Sequence, residues 1–484
     1  MSKLEEISAK VNQVANKIEE LKQTKTPLEV FACIKQYAKE GYEAIPADEK
    51  SYFLKCFGIF DRESTPGQFM MRIRTSGGCL SLEQAQTLGE LAKSYGNDYM
   101  DLTTRAAIEL RYLEIENIPD LLARLEHVGL TSFQTGVDNI RSIIMDPLDG
   151  ISEDSLLTCK PIVKEMEAVF LKNEEWIASL PRKFNTAITG ALQNRCNVYG
   201  QDCGFVLAKK EGMLGFSPFL GGRVGHHSLP SNLFLTPNQV APFYEALLKL
   251  FQTYGFRHNR NKNRFRFLLD EVGMDEIIRE VQDQQGLTYP TDPEILTKEE
   301  GKIEFITTYK DQKHLHCPVP CGVFSGSALL KAVQFAQMQE AREIRLSVEQ
   351  NFIVVGAQNL LLDDAFVKEY ATFDNSYFRN IVACAGKKHC PFGIIEAKEE
   401  GLKVAQALLE KFPNHKEQLK FYWSCCPKGC GIHENGDFGF VGSKAKIDDE
   451  VVEVVSIYRK GELVKTKVPL HQIAQEIIAM LEAE

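Results

Sequence analysis

One repeated arrangement constrains this chain more than any other feature. In the first half, Met71-Arg72-Ile73-Arg74 runs into Gly77-Gly78, a helical stretch follows from Leu82 to Tyr95, and a strand follows from Met100 to Arg105. In the second half, His316 to Val319 runs into Cys321-Gly322, then a helical stretch from Ala328 to Ala341, then the strand Ile344 to Phe352. The step from Gly78 to Leu102 equals the step from Gly322 to Leu346. Each copy reads as strand, turn, helix, strand. A piece of this kind leaves a sheet face uncovered and needs a partner, which the other copy can supply. The expectation is one composite α+β domain built from both copies, each copy feeding a larger domain. The boundaries read as a helical segment at 1–55, half-domains at 56–134 and 301–369, and larger α+β domains at 135–300 and 370–484. The stretch from Gln282 to Glu300, rich in Gln, Pro, Thr and acid, is the expected connection between the halves.

The N-terminus carries a second periodicity. Leu4, Ile7, Val11, Val14, Ile18 and Leu21 fall three and four apart, with Glu and Lys filling much of the rest. This predicts a helix ending before Pro27, which either packs on its own chain or dimerises as a coiled coil. Composition is that of a large globular protein: of 484 residues, 44% are hydrophobic and 25% charged, ample for several cores. No apolar run approaches the length of a membrane helix, and Met1-Ser2-Lys3-Leu4-Glu5-Glu6 lacks the apolar centre of a secretion signal. Thirteen cysteines, an odd number, suit a reducing compartment better than a disulfide framework. The expectation is a cytoplasmic monomer with no membrane partner. A formal net charge of −10 argues against nucleic-acid binding. Against that background, the run from Arg257 to Arg266 is strongly basic, and it faces a cofactor, an electron donor or solvent.

Four cysteines form two close pairs. Cys384 and Cys390 make a C-x5-C; Cys426 and Cys430 make a C-x3-C, followed at once by Gly431. Four thiolates so arranged can converge on zinc or on an iron–sulfur cluster. Structural zinc prefers pairs separated by two to four residues, which a C-x5-C fits poorly. Scattered buried thiols are the third reading. Cys317 and Cys321 form another C-x3-C, and Cys196 and Cys203 sit seven apart; both pairs are expected to be structural or incidental. Cys425 adjoins Cys426, and the register of the C-x3-C favours Cys426 as the ligand.

The two pairs resemble the 4Fe–4S signature of the siroheme-dependent nitrite and sulfite reductases. The resemblance extends over most of the chain. Thr103-Thr104-Arg105, Gly136-Val137-Asp138-Asn139-Ile140-Arg141 and Leu180-Pro181-Arg182-Lys183-Phe184-Asn185 resemble the family's basic motifs, in the family's order. Phe219-Leu220-Gly221-Gly222, Leu269-Asp270-Glu271-Val272-Gly273, Ser347 to Asn351 and Val382 to Lys398 continue the match. The resemblance implies an α+β fold: a pseudo-two-fold repeat of ferredoxin-like half-domains plus two larger α+β domains that bind siroheme and cluster. It implies a 4Fe–4S cluster on Cys384, Cys390, Cys426 and Cys430, with Cys430 also bridging to the siroheme iron. It implies the six-electron reduction of nitrite to ammonia, or of sulfite to sulfide, with Arg105, Arg141, Lys183 and Asn185 at the oxyanion. Arg72, Arg74 and Arg182 are the candidates to pair with siroheme carboxylates. Arginines hold oxygens through forked, charge-assisted hydrogen bonds, and a lysine adds a point charge and helps deliver protons. No Gly-x-Gly-x-x-Gly stands at a strand–helix junction, so electrons come from a separate carrier, for which the family implies ferredoxin or a similar donor.

Substrate choice turns on few positions. Sulfite reductases tend to carry a second lysine two residues after the first, where this chain has Asn185. Sulfite is partly a dianion at neutral pH and gains from another cation; nitrite is a monoanion. Val348-Glu349-Gln350-Asn351 also resembles nitrite reductases. The expectation is therefore nitrite, with sulfite as the alternative and a related corrin-biosynthesis family as a third branch sharing the cluster motif. Ala106, Ser142 and Lys428-Gly429 depart from the family's usual residues near the inferred site. Two other classes stay open: an electron-transfer iron–sulfur protein, which needs only the cysteines, and a zinc-stabilised binding protein.

Overall fold

The computed structural model describes residues 2–298, 300–414 and 418–483. The chain forms two compact units that interleave along the sequence. One comprises Met1–Asp61, Phe69–Cys79 and Leu113–Ile303; the other comprises Arg62–Gln68, Leu80–Tyr112 and Glu304–Glu484. Each has its own hydrophobic core.

The first unit is built on a mixed sheet. Strands Ile144–Met145, Thr186–Ile188 and Cys203–Lys210 run parallel, and Met213–Leu220 and Leu229–Pro230 follow antiparallel. Helix Val240–Tyr254 is apolar on most of its surface and buries Phe243, Tyr244, Leu247 and Phe251, as a helix central to a core must. The expected connection at 282–300 is partly ordered structure. Helix Met274–Gln285 runs into it, and Glu294–Ile295 pairs with the edge of Cys203–Lys210.

The N-terminal heptad pattern does not give one continuous helix. Helix Lys3–Val11 stops, and a short helix resumes at Lys17–Leu21. Two asparagines explain the break. Asn12 donates to the Gly255 carbonyl and accepts from Arg257 N, while Asn16 N donates to the Arg257 carbonyl and its side chain caps the second helix. Asparagine side chains compete with the helix for backbone groups, and here a neighbouring loop wins. Leu4 is fully buried in the first unit's core, and Lys3 donates to the Val272 carbonyl, so the segment packs on its own chain.

The second unit holds the helix and final strand of both strand–turn–helix repeats, while the first copy's opening strand and turn, within Phe69–Cys79, fall in the first. Helix Leu82–Tyr95 starts in a capping box between Ser81 and Gln84, and helix Gly326–Met338 is capped by Ser325. The two helices pack closely because glycines face each other. A Cβ on Gly326 would lie 2.3 Å from the Gly89 carbonyl oxygen. The copies also share a sheet: Val323–Phe324 pairs with Met100–Leu102. Each expected final strand is shorter than its pattern and ends in a tight turn. In the first copy, Thr103 Oγ1 accepts from the amides of Arg105 and Ala107; in the second, Ser347 Oγ accepts from Asn351 N. Ala106 and Gln350 take the same left-handed conformation, with φ of 48° and 62°. Cys321 (φ 57°) likewise repeats Gly77 (φ 58°), so its thiol belongs to a turn and lies against the Lys398 carbonyl.

The larger sheets repeat as well. In the second unit, Ile381–Ala383, Phe421–Ser424 and Phe438–Ile447 are parallel, and Glu450–Arg459 and Glu462–Pro469 follow antiparallel. The two sheets place their chemistry at opposite ends. In the first unit, the basic motifs precede the parallel strands; in the second, the cysteines follow them.

Candidate active site

Parallel pairing brings the cysteine loops together. Ala383 lies opposite Trp423, so the chain leaves both strands at the same edge. Cys384 N donates to the Trp423 carbonyl, and Cys425 N donates to Cys384 Sγ, each at 3.1 Å. Ile394 N closes the loop on the Cys425 carbonyl, also at 3.1 Å. The thiol of Cys425 stands within hydrogen-bonding reach of Cys384, Cys390 and Cys426. These contacts favour thiolates. Proximity to the Cys425 thiol, which can donate to one of them at a time, lowers Cys390 and Cys426 against the opposing effect of burial; amides of Phe392 and Lys428 and the charge of Lys428 add to it. Cys384 is lowered by the same thiol, again against burial, and by the amides of Cys425 and Gly386. Cys430 is exposed at the end of the second loop. Gly431 follows it for want of space: a Cβ there would lie 1.9 Å from the Trp423 carbonyl oxygen.

Among the described residues, no three His, Cys, Asp or Glu side chains surround one point closely enough for a single metal ion. A four-iron cluster is a larger guest, and each of its ligands binds a different iron. Thiols gathered around a volume suit it.

The Thr103–Ala107 turn lies against the second cysteine loop. Thr104 Oγ1 donates to the Cys430 carbonyl at 3.1 Å. This places half-buried Arg105 one residue from the backbone of Cys430's loop. Its counterpart in the second copy is Glu349, whose carboxylate is held by Lys420 and Tyr422 at 2.9 Å each. The guanidinium at this turn is thus specific to the first copy.

In the first unit, a loop at 133–141 racks three of the expected arginines on its carbonyls. Arg72 and Arg141 both donate to the Thr135 carbonyl, and Arg141 also reaches the Val137 carbonyl at 2.9 Å. Two guanidinium groups meeting at one oxygen concentrate positive charge suited to carboxylates or a small oxyanion. Arg74 is buried deeper, donates to the carbonyls of Gln134 and Ile140 and lies over the Phe170 ring; its geometry is that of a strut under this loop. The Arg141 motif and the Lys183 motif are neighbours in space. Arg141 N donates to the Phe184 carbonyl at 2.9 Å and Phe184 N to the Asn139 carbonyl at 3.2 Å. Phe184 points into the core, so Lys183 and Asn185, two residues apart, share the other face. Asn185 Oδ1 is buried and accepts no hydrogen bond.

The basic run at 257–266 is a set of structural clamps. Arg257 pairs with Glu19 at 2.6 Å, Arg264 grips Asp202 with two bonds and Arg266 pairs with Asp270. Arg260 forks onto Asp138 at 2.6 and 2.7 Å. Asp138 is fully buried and also meets Lys22, Tyr52 and, at 3.9 Å, Arg182. Burial works to raise its carboxyl, yet Lys22 and Arg260 hold it below the usual range. Cys317 and Cys196 are buried thiols against backbone carbonyls, and Cys203 lies inside the first unit's core.

Comparison with known proteins decides the family. The family profile described as "Nitrite/Sulfite reductase ferredoxin-like half domain" matches residues 61–128, and "Nitrite and sulphite reductase 4Fe-4S domain" matches residues 136–287. A ferredoxin–nitrite reductase of Leptolyngbya laminosa is 31% identical, over 93% of this chain and 91% of its own. A protein of the same name from Synechococcus elongatus is 32% identical over 93% and 90%. The chain belongs to the nitrite and sulfite reductase family. The NirA protein of Mycobacterium tuberculosis shares its fold, with a TM-score of 0.89 over 98% of this chain and 94% of that one at 21% identity.

The family's cofactors are siroheme and a 4Fe–4S cluster, and the residues present fit both. The cluster profile matches the first of the two large repeats, whose cysteines at 159, 196 and 203 are buried. The gathered thiols lie in the second repeat. Three features of the site were not legible in the motifs: the Thr104 contact, the carbonyl rack and the central place of Cys425. Only the last had a sequence signal, the doubled Cys425-Cys426.

Proposed function

We propose that this chain reduces nitrite to ammonium with electrons from ferredoxin or a similar small iron–sulfur carrier. Each nitrite takes up six electrons and eight protons and leaves as ammonium and two waters. The observation that carries the reading is the seating of the Arg105 turn on the Cys430 backbone, which joins an oxyanion-binding side chain to the loop of a cluster ligand. The names of the relatives support the choice of substrate and donor. When bound, siroheme and the cluster supply single electrons and an iron for the substrate. Cys384, Cys390, Cys426 and Cys430 would hold the cluster, with Cys430 the residue that would serve siroheme as well. Arg72 and Arg182 would pair with siroheme carboxylates, and Arg74 supports the 133–141 loop from within. Arg105 and Arg141 take the oxygens of nitrite in charge-assisted hydrogen bonds. Lys183 adds a cation and hands on protons as each N–O bond breaks. Asn185 keeps the adjoining position neutral.

Among the described residues, no helix is long and apolar enough to cross a membrane. The test is turnover of the purified holoenzyme with reduced ferredoxin. Nitrite loss should match ammonium formed, and sulfite should yield little sulfide. Faster sulfide production would make the chain a sulfite reductase.

A further inference from the structure

We propose that Gln350 is a positioning residue that sets the spacing between the Arg105 turn and the first cysteine loop. The proposal rests on the reading above, in which Arg105 meets the oxyanion and Cys384 holds the cluster. Gln350 lies in the second copy's turn, yet its side chain serves two other elements. Its Nε2 donates to the carbonyls of Leu102 and Ala383, each at 2.9 Å, and its Oε1 accepts from Ala383 N at 2.8 Å. Leu102 ends its strand just before Thr103, where the Arg105 turn begins. Ala383 ends its strand just before Cys384. One side-chain amide therefore joins the substrate-side turn to the strand that delivers a cluster ligand.

The residue type fits this task closely. Gln350 is buried, and both N–H groups of its amide are used. A glutamate there would turn a carboxylate on two carbonyls. An apolar side chain of the same length would take a partner from the Ala383 amide and from both carbonyls in a buried place. The backbone gives a second sign. Gln350 stands at φ 62°, a left-handed conformation that a long side chain adopts at a cost. Its counterpart Ala106, at φ 48°, has no amide to return, so the tie runs from the second copy to the first. The surroundings are closed: a Cβ on Gly322 would lie 2.9 Å from both Cβ and Nε2 of Gln350. Thr104 ties the same turn to the Cys430 carbonyl. Arg105 is thus carried by a turn fastened to both cysteine loops, by Gln350 to the first and by Thr104 to the second. A binding group displaced by about 1 Å loses much of its effect.

The test uses the holoenzyme with two variants. Gln350→Met keeps the length without the amide. Gln350→Gly suits the left-handed backbone and removes the ties without strain, so it serves if Gln350→Met folds poorly. Circular dichroism and urea unfolding report the fold. The readouts are the electron paramagnetic resonance of the reduced cluster, and KM and kcat for nitrite with one artificial donor. Both variants should keep their iron and show a shifted resonance. KM for nitrite should rise about tenfold while kcat falls less than about threefold, because the turn that binds the anion is displaced. A variant that folds with an unchanged resonance or an unchanged KM would overturn the proposal and leave the ligand set standing. Lower stability with both readouts unchanged would make Gln350 a structural residue only, which also overturns it. Full iron in Cys384→Ser would overturn the ligand reading, and the proposal with it.

Discussion

Asn185 and Lys183 share one face of a short extended run, so the charge at position 185 is felt beside the Lys183 ammonium. Asn185→Lys places a second cation there, in a buried setting where charge is weakly screened. It should favour sulfite, which can carry two negative charges, over nitrite. The expected change is about tenfold in the sulfite-to-nitrite ratio of kcat/KM, or ~1.4 kcal/mol. Steady-state kinetics on both anions with one artificial donor decides it; a ratio that stays or moves toward nitrite removes the charge argument. His316, the counterpart of Arg72, makes a separate prediction. It is buried, and neither ring nitrogen has a hydrogen-bond partner. Burial, helped by Arg379 and opposed by Glu349, pushes its pKa down to about 3. The unfolded histidine takes a proton near 6.5, whereas the native one waits until about 3. Between those values the unfolded state holds more protons, so stability falls as pH falls, by at most about 1.4 kcal/mol per pH unit. His316→Leu should flatten this part of the urea-midpoint profile between pH 6.5 and 4. An unchanged slope would assign the acid sensitivity to other groups.

Between elements, the Asp138 node joins the N-terminal helices, the Arg141 motif and the basic run at 257–266. Removing its carboxylate leaves Arg260, Lys22 and Arg182 facing one another in a buried site. Breaking such a node from one side costs about 3–5 kcal/mol, so Asp138→Ala should unfold at clearly lower denaturant. Arg260→Ala in the same chain should cost much less than the sum of the single changes, since the two side chains form one interaction. Additive losses in equilibrium unfolding would show that the node is not a unit. The asparagine-broken N-terminal helix belongs to this scale too. Its second half is held where Arg257 clamps Glu19, and the heptad spacing alone contains no sign of that partner.

Across the whole molecule, two cores carry one tryptophan each. Trp176 is buried in the first unit and Trp423 in the second. In a Trp423→Phe background, fluorescence reports the first unit; in Trp176→Phe, the second. Asp138→Ala should lower the first transition and leave the second within about 0.5 kcal/mol, as expected for distant, independent sites. Equal shifts in both backgrounds would mean that the chain unfolds as a single cooperative body.

Sequence alone determined whatever is encoded in local spacing. The capping box at Ser81 starts its helix where the pattern placed it, the Gly77 and Cys321 turns fall at the repeat's common offset, and the two cysteine pairs carry their spacing within single loops. The basic motifs pointed to the family because their order survives without knowledge of contacts. Tertiary structure decided everything that needs a distant partner. Which strand edges are neighbours places Cys384 against Cys425; which carbonyls lie in reach separates Arg74, a strut, from Arg72 and Arg141, which meet at Thr135. It also made clamps of a basic run whose acids lie far away in the chain, at Glu19, Asp138 and Asp202. Spacing fixes a residue's face on its own element, but the charge, carbonyl or thiol that meets it comes from chain closure over long range, which no local period records.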